Sequence, residues 1–223
     1  MKNCVITGGG SGLGKELALI YSQKGYHVHI IGRYAEKLAT VKQEIESTEG
    51  LASVYQLDLR NPAEIERLAQ HFQTSAKKVE FLINNAGIGI FGPFEEIDPD
   101  DLETTFETNV YAPVMMTKAF LPLMSENGRV INIISTAGLR GKKNEAIYSA
   151  SKFALRGFTE SMQQEFADSS IKFVAAYMGG MNTPFWEHST HITDASRLKK
   201  AAEVAQKIVV EAAEKTEIMI ESN

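Results

Sequence analysis

Short runs of β-branched and apolar residues alternate along the chain with longer stretches in which apolar residues recur every three or four positions. The short runs predict strands at 3–8, 27–32, 52–59, 80–87, 129–134, 172–178 and 217–222. The longer stretches predict helices near 12–24, 35–48, 62–76, 99–125, 147–167 and 196–214, and Pro113 is expected to kink or split the fourth of them. Strands that alternate with helices predict an α/β fold, a doubly wound parallel sheet of about seven strands with helices on both faces.

No composition shift, low-complexity linker or internal repeat divides the chain, so we expect a single domain over residues 1–223. The segment 179–195 holds glycine, proline and aromatic residues with little regular period, and we interpret it as a substrate lid. A net charge of -5 disfavours nucleic acid and anionic membranes as partners. There is neither an apolar run of membrane-spanning length nor a signal-peptide pattern, so we expect a cytoplasmic protein.

The sequence TGGGSGLG, residues 7–14, joins the first predicted strand to the first predicted helix. A glycine-rich connection without a ligand is disfavoured, because so many glycines cost backbone entropy unless something approaches the chain closely. A P-loop is also disfavoured. Gly9, Gly14 and Lys15 fit its spacing, but Glu16 stands where that motif places a hydroxyl for Mg²⁺.

A dinucleotide-binding turn explains the glycines better. Gly8 ends the strand, Gly12 lets the backbone approach a pyrophosphate, and Gly14 lets the helix pack closely with its N-terminus toward the phosphates. Arg33 follows the second strand, where an acidic residue would bind a ribose 2′-hydroxyl, and an arginine there suits a 2′-phosphate. NADP(H) is therefore favoured over NAD(H), and a solvent-facing arginine at a loop start is the alternative.

Candidate acid–base chemistry lies in the sequence YSASK, which places Tyr148 and Lys152 on one helix face. A lysine cation at that spacing is expected to lower the pKa of the tyrosine toward the neutral range. An isolated pair of this kind is more often an aromatic residue beside a surface lysine. Here, however, Ser135 ends the fifth predicted strand at the ligand-binding edge, and Asn109 could hold a bound water with its buried amide.

In these residues and their order, the chain resembles the short-chain dehydrogenase/reductase family over nearly its whole length. TGGGSGLG looks like the family's cofactor turn, NNAG (84–87) like its strand-four motif, and Asn109, Ser135, Tyr148 and Lys152 match its catalytic tetrad in order. The resemblance implies a Rossmann-type sheet. It also implies that Tyr148 is the general acid for carbonyl reduction, that Ser135 binds the substrate oxygen, that Lys152 binds the nicotinamide ribose, and that Asn109 holds a relay water.

The resemblance further implies a set of cofactor contacts on the turn, the strand ends and the lid. These are Gly8, Ser11, Gly12, Leu13, Gly14, Arg33, Asp58, Asn85, Ala86, Gly87, Lys152, Met181 and Thr183. Asp58 matches the family's adenine-contacting position and Thr183 its carboxamide-contacting threonine. No metal is expected, and His188 and His191 in the lid are interpreted as surface or substrate contacts.

The chain departs from the family's pattern in two places. Met178-Gly179-Gly180 replaces the usual Pro-Gly pair before the lid, which predicts a looser hinge. The sequence stops soon after EIMIES, 217–222, which predicts a more open pocket. A homodimer or homotetramer is expected, and six apolar residues on the two longest predicted helices could serve its interface or the core: Val114, Met115, Phe120, Phe153, Phe158 and Met162.

The expected function is NADPH-dependent reduction of a small-molecule ketone or aldehyde. Four aromatic residues suggest an apolar or aromatic carbonyl compound: Phe91, Phe94, Phe185 and Trp186. An NAD(H)-dependent alcohol dehydrogenase is one alternative. A non-catalytic dinucleotide-binding sensor or interaction protein is another, although a sensor needs no acid beside the nicotinamide.

Overall fold

The computed structural model describes residues 2–187, 189, 191–192 and 194–221. Its strands are β1 (Asn3–Thr7), β2 (His27–Gly32), β3 (Leu51–Gln56), β4 (Val79–Asn84), β5 (Met124–Ser135), β6 (Lys172–Met178), β7 (Met181–Asn182), β8 (Lys199–Lys200) and β9 (Glu217–Ile220). Seven of them form a parallel sheet in the order β3-β2-β1-β4-β5-β6-β9, and β7 pairs with β8 separately. The order in which strands are added to the sheet reverses between β1 and β4. A ligand crevice is therefore expected at the carboxyl ends of these two strands.

Among the described residues, seven α-helices cover the two faces of this sheet. They are α1 (Gly12–Gln23), α2 (Ala35–Glu46), α3 (Pro62–Thr74), α4 (Pro99–Phe106), α5 (Ala112–Phe120), α6 (Ala146–Glu165) and α7 (Ala201–Glu211). Alternate strand residues point to opposite faces. Cys4 and Ile6 of β1 accordingly pack with α1, α2 and α7, and Val5 between them packs with α3 and α5. Within the described residues, no helix is both long and apolar enough to cross a membrane.

The predicted doubly wound fold is confirmed, and the largest local difference lies in the predicted helix 99–125. A π-helical segment, Glu107–Tyr111, separates α4 from α5, and a short 3₁₀ turn, Leu121–Leu123, follows α5. Pro113, the second residue of α5, has no N–H to donate to the carbonyl of Asn109 four residues earlier. The interruption expected at Pro113 therefore takes the form of one widened turn immediately before it.

Several other predicted boundaries were wrong. The helix predicted over 196–214 is shorter, because Ala195–Arg197 form a 3₁₀ turn and the next residues pair as β8. The strands predicted over 52–59 and 80–87 end three residues early and continue as loops into the crevice. β5 begins five residues before the predicted residue 129, with a register shift against β4. Ser222, in the last predicted strand, lies outside the described residues.

A buried polar bridge fixes α6 on the sheet. The Asn84 amide donates to Oδ1 of Asn132 at 2.8 Å, and the Asn132 amide donates to the Thr159 hydroxyl at 2.9 Å. That hydroxyl in turn donates to the Leu155 carbonyl of α6 at 2.7 Å. Because buried polar groups without partners are costly, this chain of bonds sets the position of α6 across β4 and β5.

Candidate active site

A cavity of about 740 Å³ opens at the carboxyl ends of the central strands, as the reversal of strand order predicts. Ser135, Tyr148 and Lys152 line it, together with all the predicted cofactor positions except Gly14. Gly14 lies behind the turn, against Gly8. The cavity therefore joins the predicted cofactor residues and three of the four predicted catalytic residues in one space.

The glycine turn forms one wall of this cavity and fits a pyrophosphate. Gly12 has a φ of +52°, and a Cβ there would come within 3.2 Å of the Thr183 side chain. A Cβ on Gly14 would overlap the Gly8 carbonyl oxygen, so α1 starts as close to β1 as the backbone allows. The first turn of α1 has no acidic residue, and the Ser11 side chain does not cap it. Its N–H groups are therefore available to an anion in the cavity.

Lys15, which fits the P-loop spacing, and Glu16, which does not, both lie outside the cavity. Lys15 pairs with Glu44 of α2 at 2.7 Å. A P-loop needs a hydroxyl at the position of Glu16 for Mg²⁺. The structure thus gives these residues the surroundings of an ordinary helix.

Three cations border the far end of the cavity, where β2 and β3 end. Arg33 was predicted, whereas Lys37 and Arg60 were missed by the sequence reasoning, although Lys37 follows Arg33 by four residues at the start of α2. Asp58 holds Arg60 through a pair at 2.7 Å, and the Arg60 hydrogen bonds lower the pKa of this carboxyl group. A group of cations beside the turn suits a phosphate on the adenosine ribose.

The NNAG motif connects this turn to β4. The Thr7 hydroxyl oxygen accepts hydrogen bonds from the N–H groups of Asn85 and Ala86, each at 3.0 Å. The Asn85 amide donates to the carbonyls of Thr7 at 2.9 Å and Gly8 at 3.3 Å. The side chain of Asn85 therefore holds the glycine turn in place while Ala86 and Gly87 line the cavity.

Tyr148 and Lys152 lie on the first turns of α6 and face Ser135 at the end of β5. The Ser135 side chain lies close enough to the Tyr148 phenol to lower its pKa. Lys152 Nζ lies 5.7 Å from the centre of the Tyr148 ring and donates to the Ile133 carbonyl at 3.1 Å. Because α6 is fixed by the buried polar bridge, all three groups stand in a set position at the edge of the sheet.

The expected lowering of the tyrosine pKa is corrected by the structure. Burial raises the pKa of Tyr148 to about 12. Hydrogen bonding by Ser135 acts in the opposite direction, and the charge of Glu145 raises the pKa further. Burial also lowers the pKa of Lys152 to about 8, since removal from water disfavours its charged form. Desolvation thus outweighs the lysine charge that the spacing argument considered, and Tyr148 is a neutral phenol at pH 7.

Asn109 is fully buried in the π-helical segment, beside the cavity and not on its wall. Its amide donates to the Ile88 carbonyl at 2.9 Å and to the Ser151 hydroxyl at 3.0 Å, and its oxygen accepts from the Ile88 N–H at 2.9 Å. Both amide hydrogens are therefore used by protein partners. The expectation that this amide holds a water is corrected to a positioning role between the NNAG loop and α6.

The substrate end of the cavity is aromatic. The Phe91 ring lies 5.2 Å from that of Tyr148 and stacks on Trp186 at 5.3 Å and on His191 at 4.6 Å, while Phe185 lies 5.9 Å from Tyr148. We call Phe91, Phe185, Trp186 and His191 the aromatic cluster. Phe185, Trp186 and His191 line the cavity, whereas Phe91 contacts them without being on its wall. Phe94, the fourth aromatic residue of the prediction, is 72 % exposed and also outside the cavity wall.

Sequence reasoning missed Glu145, which lies three residues before Tyr148 and also lines the cavity. Its Oε1 lies 2.9 Å from Nε2 of His191, 46 positions later in the segment predicted to be a lid. The signal that could have found it is an acidic residue directly before the catalytic helix. His188 lies outside the described residues, and the part of the chain that the structure describes holds no group of three or more His, Cys, Asp and Glu suited to a metal.

Comparison with known proteins identifies the class to which this fold and site belong. The model of the family described as short chain dehydrogenase matches residues 2–194. The chain is a member of the short-chain dehydrogenase/reductase family, so the predicted resemblance is confirmed.

Two named relatives are 30% and 33% identical to this chain over the aligned residues. The ketoacyl reductase HetN of Nostoc sp. is 33% identical over 76% of this chain and 60% of its own length. The 3-ketodihydrosphingosine reductase of Bos taurus is 30% identical over 93% of this chain and 67% of its own length. A metagenomic short-chain oxidoreductase solved in complex with NADP has a TM-score of 0.86 at 26% identity, covering 100% of this chain and 97% of the other. The chain spans about three-fifths of the length of the first curated relatives that it matches.

Proposed function

We propose that this chain is an NADPH-dependent reductase that converts a small-molecule ketone or aldehyde into an alcohol. The observation that carries the proposal is the Tyr148 phenol. It is neutral, has the Ser135 side chain beside it, and faces a cavity that continues without a break to the glycine turn. A neutral acid at the end of a dinucleotide crevice is what proton delivery to a carbonyl oxygen requires.

The cofactor would lie along the wall from Arg33 to Lys152. The N–H groups of the first turn of α1 would bind the pyrophosphate, with Asp58 and Ala86 along the adenosine and Thr183 near the nicotinamide. Bound there, the reduced nicotinamide supplies the hydride that the substrate carbon accepts. The chain contributes orientation, charge and the proton.

The proton has a route built from four residues. Tyr148 donates its phenolic proton to the substrate oxygen, which the Ser135 hydroxyl holds by a second hydrogen bond. Lys152, buried beside Tyr148, binds ribose hydroxyls and places a positive charge near the phenolate that proton transfer leaves behind.

Asn109 lacks an α-helical donor for its main-chain carbonyl, because Pro113, four residues later, has no N–H. That carbonyl, in place of the occupied amide, is our proposed site for a relay water.

NADP(H) is preferred to NAD(H) in this proposal because Arg33, Lys37 and Arg60 border the adenosine end of the cavity. The position after β2 is occupied by Arg33 and not by an acidic residue, which would select the free ribose hydroxyl of NAD(H). The metagenomic relative that binds NADP supports the same choice.

We also propose that the chain works in the cytoplasm, where cells hold their NADPH, as a homodimer or homotetramer. Exposed apolar residues on the α4–α5 and α6 surfaces support such an interface: Leu102, Tyr111 and Phe153. Phe120, one of the six candidates from the sequence, is fully buried against Phe72 and belongs to the core.

A panel of ketones, aldehydes, diketones and quinones, followed by NADPH consumption, tests the activity. Tyr148→Phe is expected to lower kcat/KM roughly 100-fold or more on every compound that the enzyme reduces, since the general acid is lost. Tyr26→Phe, which removes a phenol hydroxyl outside the cavity, is the matched control and should stay close to the wild type. Undiminished reduction by Tyr148→Phe would refute the acid assignment.

A further inference from the structure

Glu145 is a buried carboxylate on the substrate side of the cavity whose two oxygens differ. The side chain is 7% exposed, and both nearby basic side chains approach the same oxygen, with His191 Nε2 at 2.9 Å and Lys142 Nζ at 3.9 Å from Oε1. The other oxygen, Oε2, is buried and has no hydrogen-bond partner among the described residues. A buried acceptor without a donor is costly, so this carboxylate gains from a donor that a bound ligand supplies once one of its oxygens turns to the cavity.

The position of Glu145 puts that donor next to the reacting carbonyl. Glu145 lines the same cavity as Tyr148, three residues before it in the chain, and its charge acts on the Tyr148 phenol. The terminal torsion of a glutamate is soft. A small rotation can therefore turn one oxygen toward a ligand while the other stays on His191.

The surroundings of the carboxylate favour a cation over a neutral donor. Phe91 stacks on His191 at 4.6 Å and meets the Tyr148 ring at 5.2 Å, so the aromatic cluster extends from the Glu145–His191 pair to the reacting phenol. Trp186 adds a further nearly parallel ring, 5.3 Å from Phe91. Aromatic faces beside a carboxylate attract an alkylated ammonium through its charge and its apolar groups together.

We propose that Glu145 and the aromatic cluster form a specificity site for a protonated amine adjacent to the substrate carbonyl, an inference that rests on the proposed function of the same cavity. The ammonium N–H donates to the Glu145 carboxylate, and the carbon substituents on nitrogen pack against the rings. A neutral ketone of the same shape leaves the carboxylate oxygen without a donor. The site therefore selects amino ketones over their hydrocarbon isosteres.

Dimethylaminoacetone and 4-methylpentan-2-one form a suitable pair of probes, because they differ only in a protonated nitrogen in place of a CH group. Trp186 is the only tryptophan of the chain and belongs to the aromatic cluster, so its fluorescence reports binding of either ketone directly. Titrations at a pH where the amine is protonated, followed by NADPH consumption with both ketones, separate binding from turnover. Glu187→Gln, an exposed carboxylate that lines the same cavity, is the matched control for Glu145→Gln.

The wild type is expected to bind the amino ketone roughly tenfold or more tightly than its isostere, and Glu145→Gln to abolish that preference while Glu187→Gln keeps it. Equal affinity of the wild type for both ketones overturns the proposal without any variant. A preference that persists in Glu145→Gln also overturns it. An equal loss of affinity for both ketones in that variant does so too, since Glu145 would then only hold the lid through His191. Failure of the proposed function looks different, because neither ketone would consume NADPH while the binding preference is still present.

Discussion

Lys152 donates a hydrogen bond from its ammonium group to the main-chain carbonyl of Ile133 at 3.1 Å. This bond ties the end of the lysine to β5, so the nitrogen stands beside the cavity and the Tyr148 ring without a carboxylate partner among the described residues. The lysine is therefore a positive charge in a desolvated place, and its protonation becomes sensitive to pH in the mildly alkaline range.

The first prediction concerns that pH range. Burial lowers the pKa of Lys152 to about 8 and raises that of Tyr148 to about 12. As pH rises through about 8, Lys152 loses its charge while the phenol keeps its proton, so kcat/KM for carbonyl reduction should fall by up to roughly tenfold per pH unit. Lys152→Arg keeps its charge, and its own profile should show no fall near pH 8. Measuring kcat/KM of the wild type and of Lys152→Arg from about pH 6 to about pH 10, roughly two units either side of the lysine pKa, checks this. Equal declines in the two proteins would contradict it.

A second prediction concerns the contact between Gly14 and Gly8. Gly14→Ala forces its Cβ against the Gly8 carbonyl, so the turn and α1 must separate. We expect NADPH affinity to fall at least about tenfold and the free energy of unfolding to fall by about 1–3 kcal/mol. Gly157→Ala in α6, where a Cβ meets nothing within 4 Å, is the control, and it should raise the free energy of unfolding by up to about 1 kcal/mol. Equal effects of the two substitutions would refute the close-packing argument.

A third prediction separates the two nicotinamide cofactors. Arg33→Ala should weaken NADPH binding roughly 10- to 100-fold, with little effect on NADH, because a charge-assisted contact to the 2′-phosphate is lost. Adding Lys37→Ala should weaken NADPH binding further. Lys42→Ala, on the same helix but paired with Glu46 outside the cavity, controls for a general change of charge. Unchanged NADPH affinity in Arg33→Ala would show that the 2′-phosphate lies elsewhere.

A fourth prediction concerns acid stability and His29. This ring is fully buried in β2, with its nitrogens on Asn3 Oδ1 at 3.0 Å and the Tyr55 hydroxyl at 3.3 Å. Burial lowers the pKa of His29 to about 3, and the charges of His27, Lys77 and His71 act in the same direction. Between these pH values the unfolded chain binds a proton at His29 that the folded chain does not bind. The free energy of unfolding therefore falls as pH drops from about 6.5 toward 3, by up to about 1.4 kcal/mol per pH unit.

Urea unfolding at a series of pH values tests this contribution. His29→Gln should be less stable than the wild type at neutral pH and should lose less of its stability on acidification. His71→Gln changes an exposed ring of the same neighbourhood and should keep most of the wild-type dependence, because burial is the largest cause of the lowered His29 pKa and the His71 charge the smallest one named. If His29→Gln and the wild type lose stability in parallel, carboxylates rather than His29 account for the acid sensitivity.

The parts of the molecule that sequence alone could specify are those set by local pattern. Alternation of short apolar runs with helical periods is sufficient for the seven-stranded sheet, and the glycine turn, NNAG and YSASK are contiguous motifs, so fold and family were predicted and are confirmed. The structure also brings Ser135, Tyr148 and Lys152 to one cavity wall. Their catalytic roles remain proposals.

The features that were missed depend on contacts between distant residues. Asn109 bonds to Ile88 and Ser151, 21 and 42 positions away, and these bonds together with Pro113 fix the π-helical turn that a helical period cannot reveal. The pairing of Glu145 with His191 likewise joins two loops. The Tyr148 pKa was predicted in the wrong direction because charge spacing is visible in a sequence, whereas the degree of burial is a property of the packed molecule.

The pairing of β7 with β8 has a consequence for how this fold can diversify. Met181 lies opposite Lys199 and Asn182 opposite Lys200, so the chain leaves and re-enters the body of the protein at neighbouring points. A segment whose two ends are clamped side by side can be lengthened, shortened or exchanged without moving the strands beneath it. Recombination or engineering could therefore exchange the segment after Thr183, up to residue 198, and change the choice of substrate while Thr183 and the nucleotide crevice are kept.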